Sequence, residues 1–254
     1  MKRMKKICGV LLATVLLVTM FSSTAFAAIS IPKSQTFYLR SKSGTTSYSG
    51  FVGISVDGMT KKQKITKSSV KSSNTSVIAP TSMYRNASDS SYQSFENSGY
   101  DYSRSSAYSY IDLVAKKPGT ATVSFKIGSK TYKTKVTVKN YVNPAATIKI
   151  PGVNSGKNIA SKFNSQNYAS GKQATTVKSP KISIKAASGW KLTNVSISDI
   201  KSNQSLSYWS TKGVSSASIP VAFMLKANGQ YSYTFTFRNT KNKAELELRY
   251  TTGN

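Results

Sequence analysis

The sequence predicts an all-β protein: two tandem β-sandwich domains behind a cleaved export signal. Three observations carry this prediction. Apolar and polar residues alternate with period two through much of the chain, helical periodicity is nearly absent, and Gly, Ser and Asn break the alternating runs into short pieces. Short half-buried strands joined by such turns build antiparallel sandwiches.

The signal peptide, residues 1–27, comes first. Lys2, Arg3, Lys5 and Lys6 form a cationic start, Ile7 to Phe21 an apolar run, and Ala25-Phe26-Ala27 the small-x-small pattern that a signal peptidase reads. The run is about 15 residues, short of the ~20 a membrane-spanning helix needs, and no later run reaches that length. The mature chain is expected to begin at Ala28 and to be secreted. The short Lys-rich signal suits a bacterium with one membrane. Cleavage removes Cys8, the single cysteine, and the sequence has no His. Disulfides, Cys/His zinc sites, a Cys nucleophile and a His-based triad are therefore excluded from the mature chain.

Four of the 36 Lys and Arg belong to the signal, which leaves 32 against 8 Asp and Glu. Residues 28–142 hold 17 cations and 5 anions, residues 143–254 hold 15 and 3, so each half carries an excess of 12. Solubility needs only ~2–8 charges on a small domain. An excess beyond that points to a polyanion. Export makes nucleic acid a poor candidate, and no basic helix, zinc finger or RNA-binding aromatic motif is present. An anionic cell-wall polymer or an acidic polysaccharide is the expected partner, with other surface proteins as further candidates. No sortase-type motif is read at residues 251–254, so retention on the cell is expected to be non-covalent.

The strands follow in order. In Gly119–Gly128, Ala121, Val123, Phe125 and Ile127 oppose Thr120, Thr122, Ser124 and Lys126. In Lys130–Asn140, Tyr132, Thr134, Val136 and Val138 oppose Lys133, Lys135, Thr137 and Lys139. Later, Ile182 and Ile184 oppose Lys181, Ser183 and Lys185; Tyr231, Tyr233, Phe235 and Phe237 oppose Ser232, Thr234, Thr236 and Arg238; Ala244, Leu246, Leu248 and Tyr250 oppose Glu245, Glu247 and Arg249. Gly128-Ser129 suits a tight hairpin, and Asn228-Gly229 suits a type I′ turn joining a strand at Val221–Lys226 to the next, which favours that strand over a short helix opened by Pro220 through Phe223 and Leu225. Lys157–Ala169, with Ile159 and Phe163 four apart, is the best helical segment. A finished strand meets Asn143-Pro144 at Tyr141–Ala145, and proline cannot extend a ladder, so the predicted domains are 28–142 and 143–254.

Three segments of the first half resemble a family. They are Ser72-Ser73-Asn74-Thr75-Ser76-Val77-Ile78-Ala79, Leu113-Val114-Ala115-Lys116-Lys117-Pro118-Gly119-Thr120-Ala121-Thr122-Val123, and the closing Lys135-Val136-Thr137-Val138. Over residues 29–140 they resemble a bacterial immunoglobulin-like domain of group 2. The resemblance implies an Ig-like sandwich on a secreted or cell-surface protein, and it brings no catalytic residues. The sequence departs from the family in two places. Val70-Lys71 stands where the family often has Trp, and some thirty residues, 81–112, replace a short connection. The second half shows a sandwich pattern without a recognised family.

Three groups are candidate binding residues. The insertion at 81–112 carries Tyr84, Tyr92, Tyr100, Tyr102, Tyr108 and Tyr110 among serines. Tyr supplies contact area at low entropic cost and Ser adapts its hydrogen bonds, the mixture binding loops favour; the other reading of so long a segment is disorder. Trp190, Tyr208 and Trp209 could form a platform for sugar rings or fill the end of a sandwich. Lys133, Lys135 and Lys139 share one strand face, with successive ladder positions ~6.5–7 Å apart, and Lys181 and Lys185 share another; they serve either a cationic surface or edge protection. Catalysis is poorly served. Glu245 and Glu247 would lie ~7 Å apart on one face, but a small sandwich seldom offers the cleft a glycosidase needs. Ser-x-x-Lys at Ser30, Ser68 and Ser198 lacks companion motifs, and no calcium loop is present. No cofactor is expected. The expected role is a non-catalytic envelope module, with an aromatic carbohydrate-binding or adhesion protein as the alternative.

Processing gives the first test. N-terminal sequencing of exported protein should find Ala28, or a residue within one or two of it; Met1 or Lys2 there would overturn the signal assignment.

Overall fold

The structure, a computed structural model, describes residues 29–44, 51–59, 63, 65–86 and 108–253. Its elements are almost all strands. The first half contributes β1 (Ser34–Tyr38), β2 (Phe51–Asp57), β3 (Ile65–Ser72), β4 (Ile78–Asn86), β5 (Tyr108–Ala115), β6 (Gly119–Ile127) and β7 (Lys130–Lys139). The second contributes β8 (Ala145–Lys149), β9 (Tyr168–Gly171), β10 (Lys181–Ala186), β11 (Trp190–Asp199), β12 (Gln204–Val214), β13 (Ser216–Pro220), β14 (Tyr231–Asn239) and β15 (Glu245–Thr252). The signal peptide and Cys8 lie outside the described residues. No helix among those described is long and apolar enough to cross a membrane.

Four sheets form, with strand orders β1-β7-β6-β3, β2-β5-β4, β13-β10-β8 and β12-β11-β14-β15-β9. Each draws its strands from one side of residues 140–144. Alternation explains the packing. Along β6 and β7, Ala121, Val123, Phe125, Ile127, Val136 and Val138 are buried while their neighbours face out. They meet Ile54, Val56, Ile78, Ile111 and Leu113 from the facing sheet. In the second half Leu192, Val195, Ile197, Phe235, Phe237, Leu246 and Leu248 pack with Ile148, Ile182, Ile184 and Ile219. Burying a Val, Leu, Ile or Phe side chain contributes about 1.5–3 kcal/mol, and no disulfide supplements it.

Turn chemistry holds at one predicted hairpin and fails at the other. Ile127 pairs with Lys130 across Gly128-Ser129, and Gly128 alone has positive φ (59°), the first-position requirement of a type II′ turn. Gly119 opens β6 at φ 151°; a Cβ there would sit 2.7 Å from Val77 Cγ2, so the turn admits no larger residue. Val221–Lys226, by contrast, is not a strand. β14 already pairs with β11 and β15 on its two edges, leaving no ladder position for it. The segment runs irregularly, with Leu225 bridging Val177 and the Asn228 N–H donating to Gln173 O.

Two further expectations are corrected. Lys157–Ala169 is not an α-helix: only 3-10 turns form, at Asn154–Gly156 and Ala160–Phe163. The segment is tied to β8 instead: the Ile159 N–H donates to Ile148 O, and the Asn158 side chain accepts from the Ile148 N–H and donates to Ala146 O, with Ile159 and Phe163 buried in the core. The insertion is not a plain loop at its ends. β4 continues to Asn86 and β5 begins at Tyr108, with Tyr84 opposite Ile111 and Asn86 opposite Ser109. The register shifts between Pro80 and Tyr84, where the proline has no N–H for the ladder and β4 lies at a sheet edge.

Buried polar groups mark the exacting points of the packing. Thr134 is buried and donates to Pro32 O; Thr193, the extra residue where the β11–β14 register shifts, donates to Thr236 O. Tyr141 is buried between the halves with its hydroxyl 2.6 Å from Phe163 O and 2.9 Å from Gln166 O. Tyr233 differs. Its ring contacts Tyr231 and Tyr250, yet its buried hydroxyl has no partner among the described residues, and burial pushes the phenol far above its ordinary value. An unpaired buried hydroxyl costs about 1–3 kcal/mol. Tyr233→Phe should therefore raise stability by about 1 kcal/mol in urea unfolding at neutral pH, whereas a loss of stability would mean that the hydroxyl has a partner.

Candidate functional site

Period two places the lysines. Lys133, Lys135 and Lys139 are exposed on β7, a strand with β1 on one side and β6 on the other. Edge protection does not account for them, because β7 is not an edge. Lys135 lies between Ser34 and Thr122, Lys133 opposite Ser124, Thr137 between Thr36 and Thr120, and Lys139 opposite Tyr38. Lys126 on β6 and Lys71 on β3 share this face through Thr66–Lys126 and Lys71–Ser124 pairings. Short hydroxyl neighbours leave room for the lysine stems, and a flat Lys/Ser/Thr surface results.

The second half repeats the device. Lys181 and Lys185 are exposed on β10, which is also interior, between β13 and β8. Ser218 and Lys149 flank Ser183, and Ser216 and Thr147 flank Lys185. The described acids all lie on the other sheet of each half: Asp57 on β2, Asp112 on β5, Asp199 on β11, Glu245 and Glu247 on β15. Cations therefore stand on two sheets without any acid in the same strands. Glu245 is held by Arg238, whose Nε and Nη2 lie 3.0 and 2.8 Å from Oε1, on an open sheet face and not in a cleft. Asp199 accepts from the Ser202 N–H, which holds its carboxyl below the ordinary value. No three of Asp, Glu, Cys or His come together as metal ligands among the described residues.

The aromatic candidates separate. Tyr84 and Tyr108 belong to β4 and β5, with Tyr108 opposite Asp57, while Tyr92, Tyr100 and Tyr102 lie outside the described residues. Trp190 is 6 % exposed and Trp209 packs partly buried against the core, so the two tryptophans do not form an open platform. Tyr208 does face solvent, at 69 %. Its lateral row on the five-stranded sheet runs Tyr208, Ser196, Thr234, Arg249, Tyr168, with a tyrosine at each end. Sequence reasoning missed Tyr168, since β9 has four residues and offers too short an alternation to read.

Sequence reasoning also missed a cleft at the junction of the halves. Tyr38, Pro118, Lys139, Asn140 and Val142 line it from the first half, Asn143, Ala187, Ser188 and Trp190 from the second; it is broadly open to solvent, with a volume of about 700 Å³. Its frame is pinned. The Tyr38 and Trp190 rings lie 5.1 Å apart at 57°, and the Asn242 amide donates to the Tyr38 hydroxyl at 3.1 Å. Ala187 N–H donates to Pro144 O, and the Asn143 side chain bonds Ala160 O, Asn164 Oδ1 and the Ala145 N–H.

No protein-family model matches the chain, and no curated protein matches it. Among solved structures it is similar to domains 4–9 of the surface layer protein SbsC, at 12% identity over 89% of this chain and 31% of that one, TM-score 0.29. It is also similar to SbsC domains 5–6 (11% identity, 89% of this chain and 98% of that one, TM-score 0.27) and to a titin fragment (11%, 89% and 98%, TM-score 0.24). The chain spans about a third of the first of these. Such likeness concerns the fold alone, which is all-β.

The burial of Trp190 sets an expectation for mutagenesis. Trp190→Ala should lower stability by about 3–5 kcal/mol in chemical denaturation, the cost of emptying a core aromatic site. A stable Trp190→Ala protein would show that the ring carries no packing load.

Proposed function

We propose that the chain is an exported, non-catalytic module of the bacterial cell surface, its first half a group-2 Ig-like domain, that attaches non-covalently to anionic envelope polymers. The observation that supports this reading is the sorting of charge. Lys71, Lys126, Lys133, Lys135 and Lys139 share one hydroxyl-rich sheet face, Lys149, Lys181 and Lys185 another, and the described acids are confined to the remaining sheets. A surface meant only for solubility would intersperse both signs. A flat cationic sheet with hydroxyl donors between the ammonium groups suits a polymer bearing phosphates or carboxylates at regular intervals.

Attachment through these faces must release counterions, so affinity should fall steeply as salt rises. The relation is established for nucleic acid, at ~0.9 log units per log salt for each phosphate neutralised, and the same physics applies to any dense polyanion. The measurement is retention of mature protein on isolated cell walls from low to high salt. Replacing Lys126, Lys133 and Lys135 by Gln should flatten the slope by on the order of 2–3 while leaving thermal unfolding unchanged, because all three side chains face outward. Salt-indifferent retention would reject this reading. It would favour the second one, carbohydrate recognition through the row that joins Tyr208 to Tyr168.

A further inference from the structure

We infer that the cleft between the two halves is a saccharide site selective for an acidic sugar residue, a pyranose carrying a carboxylate or a phosphate. The inference rests on the envelope-polymer reading and deepens it: the lysine faces hold the polymer's charge, and the cleft holds one of its repeat units.

Size and composition support this. The open cleft's volume of about 700 Å³ falls within the ~300–1,000 Å³ of small-molecule sites. Such sites combine apolar lining with a few placed polar groups. Here Pro118, the Tyr38 ring, the rim of Trp190 and Val142, which is 40 % exposed, supply apolar surface. The C–H face of a pyranose lies favourably against an aromatic π face, which is electron-rich. Ring position is set before any ligand arrives, since the Tyr38 hydroxyl is already bonded to Asn242. A preformed wall lowers the ordering cost of binding.

The polar groups complete the case. Asn143 is fully engaged in its own hydrogen bonds, but the side chains of Asn140, Ser188 and Lys139 make none with the described residues. An amide and a hydroxyl can each exchange hydrogen bonds with sugar hydroxyls, and the lysine offers an ammonium donor. No acidic residue lines the cleft. Lys139 is the residue directly opposite Tyr38 across the β1–β7 pairing, so one ligand can rest on the ring and present an anion to the ammonium. A neutral sugar would leave that charge unused.

The test uses the mature protein with three short probes: a galacturonic acid trisaccharide, a sugar-phosphate oligomer of similar length and a neutral galactose trisaccharide. Calorimetric titration should show at least tenfold tighter binding of one acidic probe than of the neutral one. Which acidic probe wins tells a uronate polymer from a phosphate-bearing one. Lys139→Gln should remove that preference, and Val142→Glu, an exposed change that brings a like charge into the cleft, should abolish acidic binding. Tyr38→Ala should weaken all three probes; should it unfold the protein, the other two variants still decide. Acidic binding no tighter than neutral, or unchanged in both Lys139→Gln and Val142→Glu, overturns the inference. The Lys126, Lys133 and Lys135 variant separates the two readings: it should lose wall retention and keep trisaccharide binding. Wild-type retention that ignores salt, with the trisaccharide still bound, sinks the lysine faces and leaves the cleft standing.

Discussion

The two-residue period of an extended chain is the constraint on which everything else here depends. With a single cysteine in the sequence no disulfide can form within the chain, and each sandwich is held by the side chains its strands turn inward, from Val123 and Phe125 to Phe235 and Leu248. The same pleat sends every second residue outward, where packing places no demand on it. Lysine and threonine could therefore collect on β7, β6 and β10 at little structural cost. The fold and the charge distribution are two faces of one alternation.

That link explains what was legible. Strands long enough to show several alternations, such as residues 119–127, 130–139 and 231–239, were readable together with the direction of Lys133, Lys135 and Lys139. Elements whose form is decided by distant partners were not. Ile159 and Phe163 have helical spacing, yet the Ile159 N–H donates to Ile148 O and the Asn158 side chain bonds Ile148 N–H and Ala146 O, tying the segment to β8. The segment after Pro220 reads as a strand, but both edges of β14 are filled from elsewhere in the chain. Trp190 could not be told from an exposed tryptophan, because the ring packed on it, Tyr38, comes from a distant part of the sequence.

The junction shows the same dependence on remote pairing. Tyr141 reads as a linker residue, but it is buried and its hydroxyl serves two carbonyls of the turn at Phe163–Gln166. A short bridge between Ser41 and Gln166 and the bond from Lys42 N–H to Ser165 O add backbone contacts nearby. These contacts join the first half to the second beside the linker. The shape of the cleft is a property of the pair of sandwiches, which is why neither half of the sequence announces it.

The parallel pairing of β1 with β7 has a mechanical meaning. These are the first and last strands of their half, matched from Ser34–Lys135 to Tyr38–Lys139, with flanking bonds at Lys33 and Leu39. Tension that enters at the start of β1 and leaves at the end of β7 runs along the strands, perpendicular to the ladder. It loads those hydrogen bonds together, in shear, and cannot unzip them one by one. A pull applied between the two ends of this half would meet all five paired positions of that seam at once.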